Sequence, residues 1–239
     1  MMKKPQLFLL HFAGGSCYSF RHMEPFLKDF EVVTPELPGR GQRMRENLLN
    51  DFEQAAEDMY RQVISKLNSS RFVLYGHSMG AYLALRVANM LDRASTPPAC
   101  LLVSGNAGPG IYSPKKRYLL EHDEFFNEVG RLGGLPPEIL SNKEILEFYE
   151  PILRADFEVA ERNNTAMEPP VNMPLFAMMG DKEGKVGQIS NWQRFTNSSF
   201  NYEILEGDHF FINHHPEKIA GIIRSNYEQA TLAGKYNSV

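Results

Sequence analysis

The sequence predicts an α/β fold: a mostly parallel sheet with helices packed on both faces. Three observations carry this. Six short apolar runs recur along the 239 residues, each bounded by Gly, Pro, Asn or Ser, as strands are. Segments of helical periodicity lie between most of them, and such alternation builds parallel sheets. Several runs lack in/out alternation, as strands covered on both faces do.

The strands are expected at 6–11, 31–35, 71–75, 99–104, 174–179 and 201–205. The clearest helix spans 50–67, where Phe52, Ala56, Met59, Val63 and Leu67 share one face. Asn50 with Glu53 forms a candidate capping box at its start. The segment 80–91 is apolar almost all round and is expected to be buried. A closing helix over 216–230 begins with Pro216, a residue suited to a first turn. Residues 112–170 interrupt the alternation and read as helices over 116–131 and 141–160, separated by Gly133-Gly134-Leu135-Pro136-Pro137. The expected organisation is one domain over 1–239 with this stretch as a helical lid.

Composition narrows the function. Hydrophobic residues make up 43% and charged residues 23%, ordinary values for a globular chain. The formal net charge of −4 speaks against a nucleic-acid or anionic-membrane partner. Two cysteines exclude a disulfide framework and a Cys-based zinc site, and fit a reducing cytoplasm. The apolar start, Leu7 to Leu10, is cut by His11 and is too short for a signal peptide or membrane span, so it reads as a buried strand.

Residues 71–81, RFVLYGHSMGA, set Gly76-His77-Ser78-Met79-Gly80 between an apolar strand and a helix. This is the context of a nucleophile elbow, which points to an α/β-hydrolase fold. The glycines remove side chains that would clash as the chain folds back, and Ser78 is then exposed at a helix N-terminus. In this architecture the order is Ser, acid, His. Among seven histidines, His209 follows the last strand and is the expected base, with His214 and His215 as runners-up. Asp181, directly after Gly180, is the expected acid, and Glu183 is its rival. The oxyanion-hole N–H groups are expected from Met79, after the nucleophile, and from Ala13 or Phe12 in the loop His11-Phe12-Ala13-Gly14-Gly15-Ser16. His11 either lines the site or packs. No metal or organic cofactor is needed for this chemistry.

Together these stretches resemble the type II thioesterases of nonribosomal peptide and polyketide synthesis. The resemblance rests on the 11–16 loop, on Glu36-Leu37-Pro38-Gly39-Arg40-Gly41 with Arg43, on the elbow, and on Leu101–Gly105 with Ala107 and Pro109. Arg154-Ala155-Asp156 and Gly207-Asp208-His209-Phe210-Phe211 complete it. It implies hydrolysis of acyl thioesters from the phosphopantetheine arm of carrier proteins, releasing misprimed groups. The same residues also fit a carboxylesterase or an acyl-CoA thioesterase. The family usually has two residues between the strand-end Gly and its acid, and the position so spaced is held here by Glu183. Arg40 and Arg43 are either phosphate ligands for the arm or ion-paired residues beside a turn. Lys115, Lys116 and Arg117 are the expected docking patch for a carrier domain.

Overall fold

All five residues of the first strand, β1 (Gln6–Leu10), are buried, and a strand so covered belongs in the middle of a sheet. In the computed structural model, which describes residues 3–112, 114–134 and 142–236, it lies second in a six-stranded sheet. The others are β2 (Glu31–Val33), β3 (Phe72–His77), β4 (Cys100–Ser104), β5 (Leu175–Gly180) and β6 (Phe200–Leu205). Their order is β2-β1-β3-β4-β5-β6, and every pairing is parallel. All six expected strands are present, with ends shifted by one or two residues.

Successive side chains of a strand point to opposite faces, which divides the core in two. Phe72 and Leu74 pack on one side with α1 (Phe52–Lys66) and α2 (Met79–Arg93). Val73 and Tyr75 pack on the other with Phe20, Met23 and Ile219 of the closing helix, α5 (Pro216–Tyr236). The cap of α1 differs from expectation. Asp51, not Asn50, accepts from an amide, that of Gln54, while Asn50 reaches across to the Glu158 carboxylate. Either residue type can cap; the extended backbone of Asp51 decides it.

Within 112–170 the helices are α3 (His122–Arg131) and α4 (Lys143–Glu161). The chain before α3 forms only a 3₁₀ turn, Arg117–Leu119, where a helix from 116 was expected. The expected loop residues Leu135, Pro136 and Pro137, and the first residue of the expected 141–160 helix, lie outside the described residues. Phe125, Phe126, Val129, Leu146, Leu153 and Phe157 of α3 and α4 form a separate apolar cluster, while α4 also packs on α1, α2 and the 3₁₀ turn. Arg154 fastens them to the preceding turn: its guanidinium donates to the carbonyls of Tyr118 and Leu120 and lies over the Phe125 ring. Among the described residues no helix is long and apolar enough to cross a membrane.

Candidate active site

Parallel order puts the carboxyl ends of all strands on one edge, and side chains there converge. Register aligns Leu10 with Gly76 and His77 with Ser104, so the loops after β1, β3 and β4 leave side by side. Between β3 and α2 sits Ser78, with φ 57° and ψ −116°. That conformation is costly for a residue with a Cβ and persists only where surroundings enforce it. Here the Ser78 amide donates to the Ser104 carbonyl at 2.7 Å, and Asn106 Nδ2 donates to the Ser78 carbonyl at 2.9 Å. The flanking glycines are obligatory: a Cβ on Gly76 would lie 2.0 Å from the Gly80 carbonyl oxygen, and one on Gly80 2.2 Å from that of Leu10.

His209 faces Ser78. Its Nε2 lies 2.8 Å from Ser78 Oγ, and its Nδ1 lies 2.9 Å from Glu183 Oε2. A carboxylate can only accept, so Nδ1 carries the proton and Nε2 is left to accept from the serine hydroxyl. The acid contact is therefore made by Glu183, and the expectation of Asp181 is corrected. Residues 180–183 form a turn in which the Glu183 amide donates to the Gly180 carbonyl. The Glu183 carboxylate folds back to accept from the Gly180 amide at 2.9 Å, which turns its other oxygen toward His209. Asp181 projects outward and accepts from the Gly207 amide at 2.8 Å, fastening the loop that carries His209. The family-like spacing after Gly180 was the signal in the sequence for Glu183.

The other histidines do not meet Ser78. His11 and His77 are fully buried. His11 Nε2 accepts from the Leu37 amide, and its Nδ1–H donates to the Phe12 carbonyl at 2.8 Å. Burial, aided by the Arg40 cation, lowers its pKa to about 4, so it stays neutral. His77 Nδ1 bonds Ser104 Oγ, and its ring packs 5.1 Å from that of His209. Burial first, then the nearby His209, holds His77 well below the usual imidazole range. The His215 ring bonds the Glu206 carbonyl.

Two cavities meet at Ser78 and His209. One, of about 80 Å³, is walled by apolar side chains including Phe12, Val129, Leu153, Phe157 and Phe210, and Ala13 also lines it. The second, of about 200 Å³, is lined by Met79, Tyr82, Asn106, Tyr112, Arg117 and Glu161 together with the apolar Ile111, Leu132 and Phe157, and is the more polar of the two. The two expected oxyanion donors thus border opposite cavities with the serine between them.

The two arginines are occupied within the protein. Arg40 is buried and makes a bidentate pair with Asp156 of α4. Arg43 bonds Asp58 and Glu46 and donates to the Glu36 carbonyl. Two of the three residues of the expected docking patch are ion-paired: Arg117 with Glu161 at 2.8 Å, and Lys115 with Glu128 at 3.0 Å.

A serine in a strained strand–helix turn, an imidazole and a carboxylate in this arrangement fit acyl transfer, and comparison with known proteins supplies the family. The thioesterase domain model matches residues 5–227. The chain belongs to the thioesterase family. It is 32% identical to linear gramicidin dehydrogenase LgrE of Brevibacillus parabrevis, over 95% of this chain and 89% of that protein. It is 31% identical to gramicidin S biosynthesis protein GrsT of Aneurinibacillus migulanus, over 87% of this chain and 83% of that protein. Among solved structures it resembles the RedJ thioesterase of the Streptomyces coelicolor prodiginine pathway, with TM-score 0.83 and 31% identity over 95% of this chain and 89% of that one. The type II thioesterase YbtT of a yersiniabactin pathway superimposes with TM-score 0.86 and 26% identity, over 95% of this chain and 94% of that one. As a member of this family the chain is a thioester hydrolase on an α/β-hydrolase-like fold.

Proposed function

We propose that this thioesterase removes acyl groups from the phosphopantetheine arm of carrier proteins, and that Ser78, His209 and Glu183 perform the hydrolysis. Ser78 Oγ attacks the thioester carbonyl while His209 takes its proton, and the pantetheine thiol leaves carrying that proton. Water, deprotonated by the same imidazole, then releases the acid. Glu183 holds the productive tautomer and stabilises the imidazolium. The amides of Ala13 and Met79 receive the negative charge that develops on the carbonyl oxygen.

The observation that carries this reading is the position of Ser78 at the junction of an apolar and a more polar cavity. A thioester on a pantetheine arm has that character: an acyl chain on one side of the sulfur and two amides on the other. The apolar cavity takes the acyl group, and Asn106, Tyr82 and Arg117 face the arm. Relatives of gramicidin and yersiniabactin biosynthesis support a role beside an assembly line, clearing groups that stall it. The helices α3 and α4 act as a lid, since they supply walls of the apolar cavity. With Lys115 and Arg117 held by internal carboxylates, carrier docking relies less on that basic run than its composition suggests.

The test compares one short acyl group on a carrier protein, on coenzyme A and as a p-nitrophenyl ester. Carrier-bound substrate is expected to give the highest kcat/KM. Equal values on all three would mean that no carrier domain is recognised and would favour a simple esterase. Labelling of Ser78 by a fluorophosphonate checks the nucleophile independently.

A further inference from the structure

Asp156 is the one carboxylate of α4 that is fully buried, among the described residues, and it lies far in sequence from the groups it touches. Its two oxygens receive both terminal nitrogens of Arg40, and Oδ2 also accepts from the Gly14 amide at 2.7 Å. Gly14 belongs to the loop after β1, with φ 76°. A Cβ there would meet Leu153 Cδ2, one turn before Asp156 on α4, at 2.6 Å. Helix and loop are thus bolted together by a charge-assisted hydrogen bond and by close packing.

The consequence concerns Ala13, whose amide is the oxyanion donor on the reading above, and the inference rests on that reading. In a trans peptide the C=O and N–H point in opposite directions. The Phe12 carbonyl accepts from the Gly15 amide at 2.9 Å and from His11 Nδ1–H at 2.8 Å, so it points into the protein. The Ala13 N–H of the same peptide then faces the other way, toward the cavity that Ala13 lines with Ser78. On the other side of the Ala13 Cα, the next peptide is fixed by the bond from Gly14 N–H to Asp156. Both planes flanking Ala13 are pinned, one by His11 and one by Asp156. We propose that Asp156 is a positioning residue for the oxyanion hole, so that the seating of α4 sets the aim of the Ala13 amide. Arg40 neutralises the carboxylate that this task buries, which accounts for an ion pair without access to solvent.

A single Asp156 variant would strand the Arg40 charge, so the test removes that charge in both arms. Arg40→Leu/Asp156→Asn keeps an oxygen for the Gly14 amide, whereas Arg40→Leu/Asp156→Leu does not. Turnover is expressed per active serine, counted with a fluorophosphonate, so that partial unfolding does not enter. The Asn variant is expected to stay within about tenfold of wild-type kcat, and the Leu variant to fall a further 10²-fold or about that, the scale of a lost oxyanion donor. KM should stay within about threefold. The Ki of a trifluoromethyl ketone, whose hemiketal oxygen occupies the hole, should rise in the Leu variant by about the same factor as kcat/KM falls. A merely structural role would leave Ki and kcat per active serine unchanged. Equal kcat in the two double variants, or a Leu variant with unaltered Ki, would overturn the proposal, as would failure of both to yield any active serine. A wild-type protein that neither labels on Ser78 nor hydrolyses thioesters would instead sink the underlying reading.

Discussion

Glu183 and His209 stand 26 residues apart in sequence and 2.9 Å apart in space, between Oε2 and Nδ1. Asp181, two residues nearer the strand end, makes a different bond, to the Gly207 amide. Both carboxylates serve the base loop. One orients the imidazole, and the other holds the backbone that carries it.

The two roles separate by mutation. Glu183→Gln removes the acceptor charge beside Nδ1 and should lower kcat by on the order of 10³–10⁴. Asp181→Asn retains an acceptor for Gly207 and should stay within about tenfold of wild type. Steady-state kinetics on an acyl thioester checks both, and a reversed order of the two losses would return the acid role to Asp181.

The nucleophile and base should fail as a unit. Ser78→Ala and His209→Ala are each expected to remove nearly all turnover, and the double variant to lose little more, because groups acting together are non-additive. Thermal melting should show the fold intact in each. Residual rates that multiplied in the double variant would mean that the two side chains act independently.

Gly80→Ala tests the elbow itself. Its Cβ would collide with the backbone carbonyl of Leu10, which cannot swing aside as a side chain can. Expected are loss of fluorophosphonate labelling and destabilisation of about 3 kcal/mol or more, as for other enforced backbone strain. Denaturant unfolding measures it; wild-type stability would show that β1 can move away from α2.

Stability should fall on acidification. His11 has its pKa lowered from 6.5 to about 4 in the fold by burial and Arg40, so the unfolded chain binds the proton first. Stability contributed by the neutral ring is present above about pH 6.5 and is lost as pH falls toward 4, at up to about 1.4 kcal/mol per pH unit. His77, lowered for the same leading reason, adds to the slope. Urea midpoints between pH 7.5 and roughly 4.5 should show this, and His11→Gln should flatten the curve. A slope unchanged in that variant would mean that His11 does not titrate as its burial requires.

The sequence by itself determined the strands, the order of the main helices, and the pair, Ser78 and His209, that the fold brings within 2.8 Å. These follow from local signals: apolar runs, helical periodicity, and a turn whose glycines are dictated by backbone sterics. The choice between Asp181 and Glu183 was not local in that sense. Both follow the same strand end, and both are carboxylates able to accept from an imidazole N–H. Only the path of residues 180–183, which turns the Glu183 side chain back over Gly180, brings one of them to the imidazole. The same holds for Arg40. A Pro-Gly-Arg stretch reads equally well as a ligand site or as a paired turn, and its partner, Asp156, lies 116 residues away. Ion pairs, close contacts between loops and the two cavities at Ser78 depend on distances that chain spacing does not encode. Tertiary packing sets them, because it fixes which ends of a parallel sheet meet and what covers them.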